Sequence, residues 1–88
     1  MLVKYLRNKS GKMVGVVVAI DKDKVGMSLC SPKDVFNKEF GKMVAVGRAK
    51  LGFPRHVPNI PNRKDIDSEQ LISEFDSMED RAERYFKN

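Results

Sequence analysis

The chain opens on three stretches in which apolar residues crowd together, each closed by a short polar segment. Residues 2–7, LVKYLR, suit a short strand. Asn8, Lys9, Ser10 and Gly11 then supply a polar, glycine-containing turn. Residues 13–20, MVGVVVAI, are rich in β-branched valine, and their near-continuous apolar run predicts a strand buried on both faces or central in its sheet. DKDK at 21–24 is a second turn. In VGMSLC, residues 25–30, Val25, Met27 and Leu29 alternate with Gly26, Ser28 and Cys30, so one face is apolar and the other small. Short connections favour an antiparallel meander.

The periodicity changes at Ser31. Ser31 suits a helix N-cap, Pro32 the first helical position, and Asp34 the positive end of the helix dipole. Phe36, Phe40, Met43, Val44, Gly47 and Leu51 share one arc of the helical wheel, and Gly52 offers a C-terminal stop. The arc predicts the buried face, with Gly47 allowing close approach to the sheet. Gly41 falls on the opposite side with Ala45 and Ala49, near Lys38 and Lys42. That small surface fringed by lysines would admit a phosphate backbone or an acidic protein; the plainer reading is a solvated face carrying alanines for helix propensity. Arg48 stands at the border of the arc, where it can snorkel. A glycine in a helix interior costs about 1 kcal/mol relative to alanine, so a break near Gly41 into two short helices is an alternative.

Residues 53–64 carry Pro54, Pro58 and Pro61, a density that excludes a helix and favours an extended connector. Arg55, Arg63 and Lys64 would extend the basic surface from there. A second helix follows, over 67–87. Asp67 is its expected cap, with Gln70 at the capping-box position. Leu71, Phe75, Met78, Ala82 and Tyr85 recur at alternating spacings of four and three. This stripe predicts either core packing or, because it approximates a heptad, a self-association seam and a homodimer.

The expected fold is α+β in one domain: a β-meander over 1–30, a single interrupted helix over 31–52, a proline-rich connector over 53–64, and a C-terminal amphipathic helix over 65–88. Charge divides along the same line. Residues 1–55 hold twelve Lys or Arg against four Asp or Glu (+8), and residues 56–88 hold five against eight (−3), which together give the net +5. A basic surface of this kind attracts polyanions, DNA or RNA above all, unless the lysines merely solvate the fold.

Candidate chemistry is sparse. Cys30 is the one cysteine and His56 the one histidine, so neither a disulfide nor a Cys/His metal site can be assembled. GKMVGV and GKMVAVG lack the phosphate-loop pattern. No catalytic set, cofactor or metal is expected, and the longest apolar stretch is far too short to span a bilayer. VGMSLCSPKDVFNKEFGKMVAVGRA resembles a stretch found in small uncharacterised bacteriophage and prophage proteins, a likeness extending over roughly residues 10–52. The resemblance implies a phage accessory protein and carries no site residues with it. The lack of a catalytic set makes the expected role non-enzymatic, and the single cysteine and absence of a membrane-length stretch make the expected compartment the cytoplasm of a bacterial host cell. Two functions follow as expectations. One is nucleic-acid binding through the basic surface of Lys38, Gly41, Lys42, Ala45, Arg48, Ala49, Arg55, Arg63 and Lys64. The other is inhibition of a host or antiviral-defence protein by protein–protein binding.

Overall fold

A computed structural model describes residues 1–52, 60 and 62–86. The valine-rich N-terminal part forms β1 (Leu2–Arg7), β2 (Met13–Asp21) and β3 (Lys24–Leu29). They pair antiparallel in the order β1-β2-β3, as the short turns require. Two helices follow, α1 (Lys38–Leu51) and α2 (Ser68–Tyr85), so the class is α+β. The expected connector over 53–64 falls mostly outside the described residues.

The two helices cover opposite faces of the sheet, which explains why β2 reads as a continuous apolar run. On one face Leu6, Val17, Ala19, Val25 and Met27 pack with Leu71, Phe75, Met78 and Ala82 of α2. On the other, Val16 and Val18 pack with Ala45 and Ala49 of α1. The register makes this alternation consistent across strands: Val17 stands opposite Met27, and Val18 opposite Gly26. Between Leu6 and Arg7 the pairing with β2 slips by one residue, a bulge that leaves Val14 free to join the α2-side core.

Two features of α1 depart from the sequence-based expectation. The helix starts at Lys38, and Ser31 does not cap it. Residues 31–34 instead close a turn in which the Asp34 N–H donates to the Ser31 carbonyl at 3.0 Å. Serine followed by proline suits the first two positions of a type I turn as well as a helix start. The true N-cap is Asn37, whose Oδ1 accepts from the Phe40 N–H at 2.9 Å. From there α1 runs unbroken through Gly41 and Gly47 to Gly52, which ends it at a φ of 68°.

The second departure is the face that α1 buries. Gly41, Ala45 and Ala49 are the buried residues, while Phe40, Met43 and Leu51 are exposed. Gly41, Ala45 and Ala49 therefore form no free surface for a phosphate backbone; Ala45 and Ala49 make the helix–sheet contact, and Phe36 covers Gly41. The cause lies on β3. A Cβ built on Gly26 would fall on the Ala45 carbonyl oxygen and within 2.5 Å of the Ala49 backbone nitrogen. Gly26 and Ser28 make a shallow strip in the sheet, and only a small-residue helix face can settle into it. Gly41 has a related reason, since a Cβ there would come within 2.5 Å of the Phe36 ring, which folds over it. Phe36 in turn meets Tyr5 of β1 edge-on at 6.3 Å. Gly47 has no neighbour within 4 Å of its virtual Cβ, so it plays no part in approach to the sheet.

The segment before α2 is clamped by one side chain. The Arg63 side chain is 5% exposed and forks onto Asp65, with Nε to Oδ1 at 2.8 Å and Nη2 to Oδ2 at 2.6 Å. Its Nη1 donates to the Cys30 carbonyl at the end of β3. The Lys9 N–H donates to the Asp65 carbonyl at 2.8 Å, tying the same segment to the β1–β2 turn. Ile66, 1% exposed, is thereby set into the core. Asp67 precedes α2 as expected but makes no side-chain cap bond; its carboxylate pairs with Lys9 at 3.2 Å.

Candidate functional site

With Ala45 pointing into the sheet, the side chains turned outward from α1 follow from about 100° per residue. Met43 and Gly47 lie nearest the outward direction. Phe40, Val44 and Leu51 lie to one side of them, and Glu39 and Lys50 to the other. Phe40 is 63% exposed, Met43 69% and Leu51 53%. A shallow surface depression is lined by Glu39, Lys42, Met43, Val46, Gly47 and Lys50. Among the described residues these three are the large apolar side chains that α1 leaves exposed. The face they occupy carries Glu39 and Lys50, with Lys42 at the edge of the depression.

The basic residues expected to form a binding surface do not converge. Lys38 lies on the sheet side of α1, its Nζ 5.3 Å from the centroid of the Tyr5 ring. Lys42 is half-buried at the rim of the depression on α1. Arg48 donates to the Met27 carbonyl at 2.8 Å, satisfying an acceptor on β3, an edge strand. Arg63 is the buried clamp described above. Lys64 is exposed, and Arg55 lies outside the described residues. Lys4 pairs with Glu74 of α2 at 3.0 Å, and Lys9 with Asp67. Several of the positive charges are thus spent in intramolecular contacts on different sides of the molecule.

The proposed self-association seam on α2 is core. Leu71, Phe75, Met78 and Ala82 are buried against the sheet and cannot also meet a second chain. Tyr85, 63% exposed, stacks edge-on with Phe86 at 4.9 Å. The outward side of α2 is acidic. Burial, with Asp76, Asp80 and Glu83 nearby, pushes the Glu79 carboxyl above its ordinary range. At the other end of the segment, the hydrogen bonds from Arg63 hold the Asp65 carboxyl below its ordinary range.

An open concavity of about 470 Å³ lies between the end of β3 and the loop to α1, lined by Ser28, Cys30, Asp34, Phe36, Asn37 and Phe40 among others. The Cys30 thiol there faces the Asp34 carbonyl at 3.8 Å. Among the described residues no group of three or more His, Cys, Asp or Glu could hold a metal ion, and no helix is long and apolar enough to cross a membrane.

The outer stripe of α1 was visible in the sequence as an apolar arc, but its direction was not. Amphipathicity assigns such an arc inward, whereas the signal for outward placement was the small face of β3. Neither a family model, a curated protein nor a solved structure matches the chain. The resemblance to phage proteins therefore rests on its own residues.

Proposed function

We propose that this protein is a non-enzymatic binding module that engages another protein through the outer face of α1. The observation that carries this reading is the exposure of Phe40, Met43 and Leu51 on a helix whose opposite face already closes the fold. Burying such side chains against a partner is favourable by about 25 cal/mol per Å² of apolar area, and fold stability gives no reason to leave them outside. The chemistry of the face suits a protein better than a nucleic acid. Aliphatic Met43 and Leu51 offer nothing to phosphate, and Glu39 offsets Lys50. A host or antiviral-defence component, to which the phage resemblance points, is one class of such a partner.

The test is a photo-crosslinking amino acid at position 43, with position 77 on the outward side of α2 as the control. Protein adducts formed at 43 and not at 77, unchanged by nuclease, are the expected result. Equal labelling at both positions, or adducts lost on nuclease treatment, would remove the reading in favour of nucleic-acid binding or no binding at this face.

A further inference from the structure

The order of residues along the outer face of α1 restricts what can cover it. Glu39, Phe40 and Met43 precede Ala45 by six, five and two residues; Gly47, Lys50 and Leu51 follow it by two, five and six. The face is therefore symmetric in spacing about Ala45, and complementary in character across that centre. A large side chain, Met43, mirrors a notch, Gly47. An acid and an aromatic, Glu39 and Phe40, mirror a base and an aliphatic, Lys50 and Leu51.

We infer that the partner of this face is a second copy of the chain, packed with its α1 antiparallel across a two-fold axis near Ala45. This assignment rests on the protein-binding reading of the same face and names its occupant. A two-fold axis lying between two antiparallel helices reverses their direction but keeps each flank on its own side. Met43 of each copy then enters the notch at Gly47 of the other. Phe40 meets Leu51 of the second copy along the apolar flank, where Val44 meets its own equivalent. Glu39 meets Lys50 of the second copy along the polar flank. A parallel two-fold pair does not bring these pairings about: it exchanges the flanks, setting Glu39 beside Phe40 of the second copy and Gly47 beside Gly47.

The arrangement also gives Gly47 a purpose. It has no neighbour within 4 Å of a virtual Cβ, and its φ is not left-handed, so the fold does not require glycine there. A helix interior disfavours it. A second helix crossing closely does require it, since interaxial distances at the short end of the 8–10 Å range need small side chains at the contact. Charge agrees with this occupant. Lys38 and Arg48 point more than about 100° away from the contact direction; Lys42 stands at the rim of the depression, so each facing surface carries Glu39 against Lys50 and one further positive charge at its edge. The area sets the strength. A helix of this length buries roughly 400 Å² per copy, about half of what a stable interface of standard size buries. The dimer is accordingly weak and concentration-dependent.

Sedimentation equilibrium over a concentration series tests this, with circular dichroism confirming that each variant folds. Wild type should shift from monomer to dimer with concentration. Gly47→Leu fills the notch from a position whose Cβ meets nothing within 4 Å, and should abolish the shift. Glu39→Lys and Lys50→Glu should each weaken association by roughly two- to tenfold at low salt, since each replaces two opposed ion pairs with like charges. The double variant Glu39→Lys, Lys50→Glu should restore it, because the symmetric pairing is only inverted. A protein that stays monomeric to about 1 mM, a scale at which such weak contacts register, would overturn the assignment. So would a folded Gly47→Leu variant that dimerises as wild type does, or a double variant as weak as the single ones. If wild type is monomeric while position 43 still gives nuclease-resistant adducts with other proteins, the second-copy assignment fails and the protein-binding reading stands. If it is monomeric and position 43 gives no adducts, both fail.

Discussion

Replacing Gly26 with alanine adds one methyl group in the middle of a strand, where propensity alone favours the change. The expected result is nevertheless a large loss of stability. The new Cβ would overlap the Ala45 carbonyl oxygen and lie 2.5 Å from the Ala49 nitrogen. Both are backbone atoms of a hydrogen-bonded helix, so no rotamer change relieves the overlap. Ordinary van der Waals contact needs about 3.5 Å, and α1 must therefore withdraw from the sheet by about 1 Å. Withdrawal of that size forfeits a quarter to a half of the dispersion energy of every contact it stretches, including those of Val16 and Val18 with Ala45 and Ala49. Overpacking costs 1–3 kcal/mol in typical cores, and a backbone obstacle puts this site at about 3 kcal/mol. The compensating loss of unfolded-state entropy is worth only about 0.4–1 kcal/mol. At about 4–8 °C per kcal/mol for a domain of this size, the Tm should fall by roughly 10–20 °C. Gly47→Ala is the matched control, with open space around it; at low protein concentration it should raise the Tm by several degrees through helix propensity alone. Thermal and urea denaturation followed by circular dichroism read both. A Gly26→Ala variant within about 0.5 kcal/mol of wild type, the range of neutral surface changes, would refute the close packing of α1 on β3.

Three further outcomes are expected. Asn37→Ala should cost about 1 kcal/mol by removing the bond to the Phe40 N–H, which is measurable as a drop in the urea midpoint. Phe75→Ala should cost about 3–5 kcal/mol as a buried core truncation, measured by urea denaturation with unchanged m-value. Two carboxylates should give stability slopes of opposite sign with pH. Glu79 has a raised folded-state pKa, so its charged form is disfavoured in the folded chain; its contribution improves as pH falls through the window just above 4.5, its ordinary value. Glu79→Gln should then raise the Tm at pH 7 and lose that advantage in acid. Asp65 is held below its ordinary 3.8, so its contribution is present above that value and disappears as pH falls through its depressed one. Asp65→Asn should lower the Tm at pH 7 and match wild type in strong acid; the two melting profiles against pH check both signs.

The sheet was legible because its signals are local. Valine density, alternation and polar turns each act over a few residues, and no competing element wants the same pattern. β1, β2 and β3 accordingly fall within a residue or so of where the pattern puts them. α2 was legible for the same reason, since its apolar stripe is wide and the rest of its surface is charged. Ser31 to Asp34 was ambiguous by nature. A serine with proline after it satisfies the opening of a turn and of a helix equally, and only the better cap at Asn37 decided between them.

The inverted reading of α1 has a different origin. Amphipathic analysis ranks a face by its hydrophobicity, which counts the area a side chain could bury and ignores how near the backbone beneath it can come. For Phe40, Met43 and Leu51 that count is high, but those side chains would hold α1 well away from a strip made of Gly26 and Ser28 and leave a gap above it. Ala45 and Ala49 bury less area each, yet they bring the helix backbone down onto β3, and voids are what protein interiors tolerate least. The decision thus depended on a pairing between two distant segments: the small face of β3, at 26 and 28, matches the small face of α1, at 45 and 49. Both are plain in the sequence, but each taken alone suggests something else, the first one side of a strand and the second a surface for a partner. Once they are matched, the large apolar residues of α1 have nowhere to go but outward. A face that would be an aggregation hazard on an isolated helix then persists for whatever covers it, which is why the symmetry of that face about Ala45 bears on the partner more directly than the net charge of the chain does.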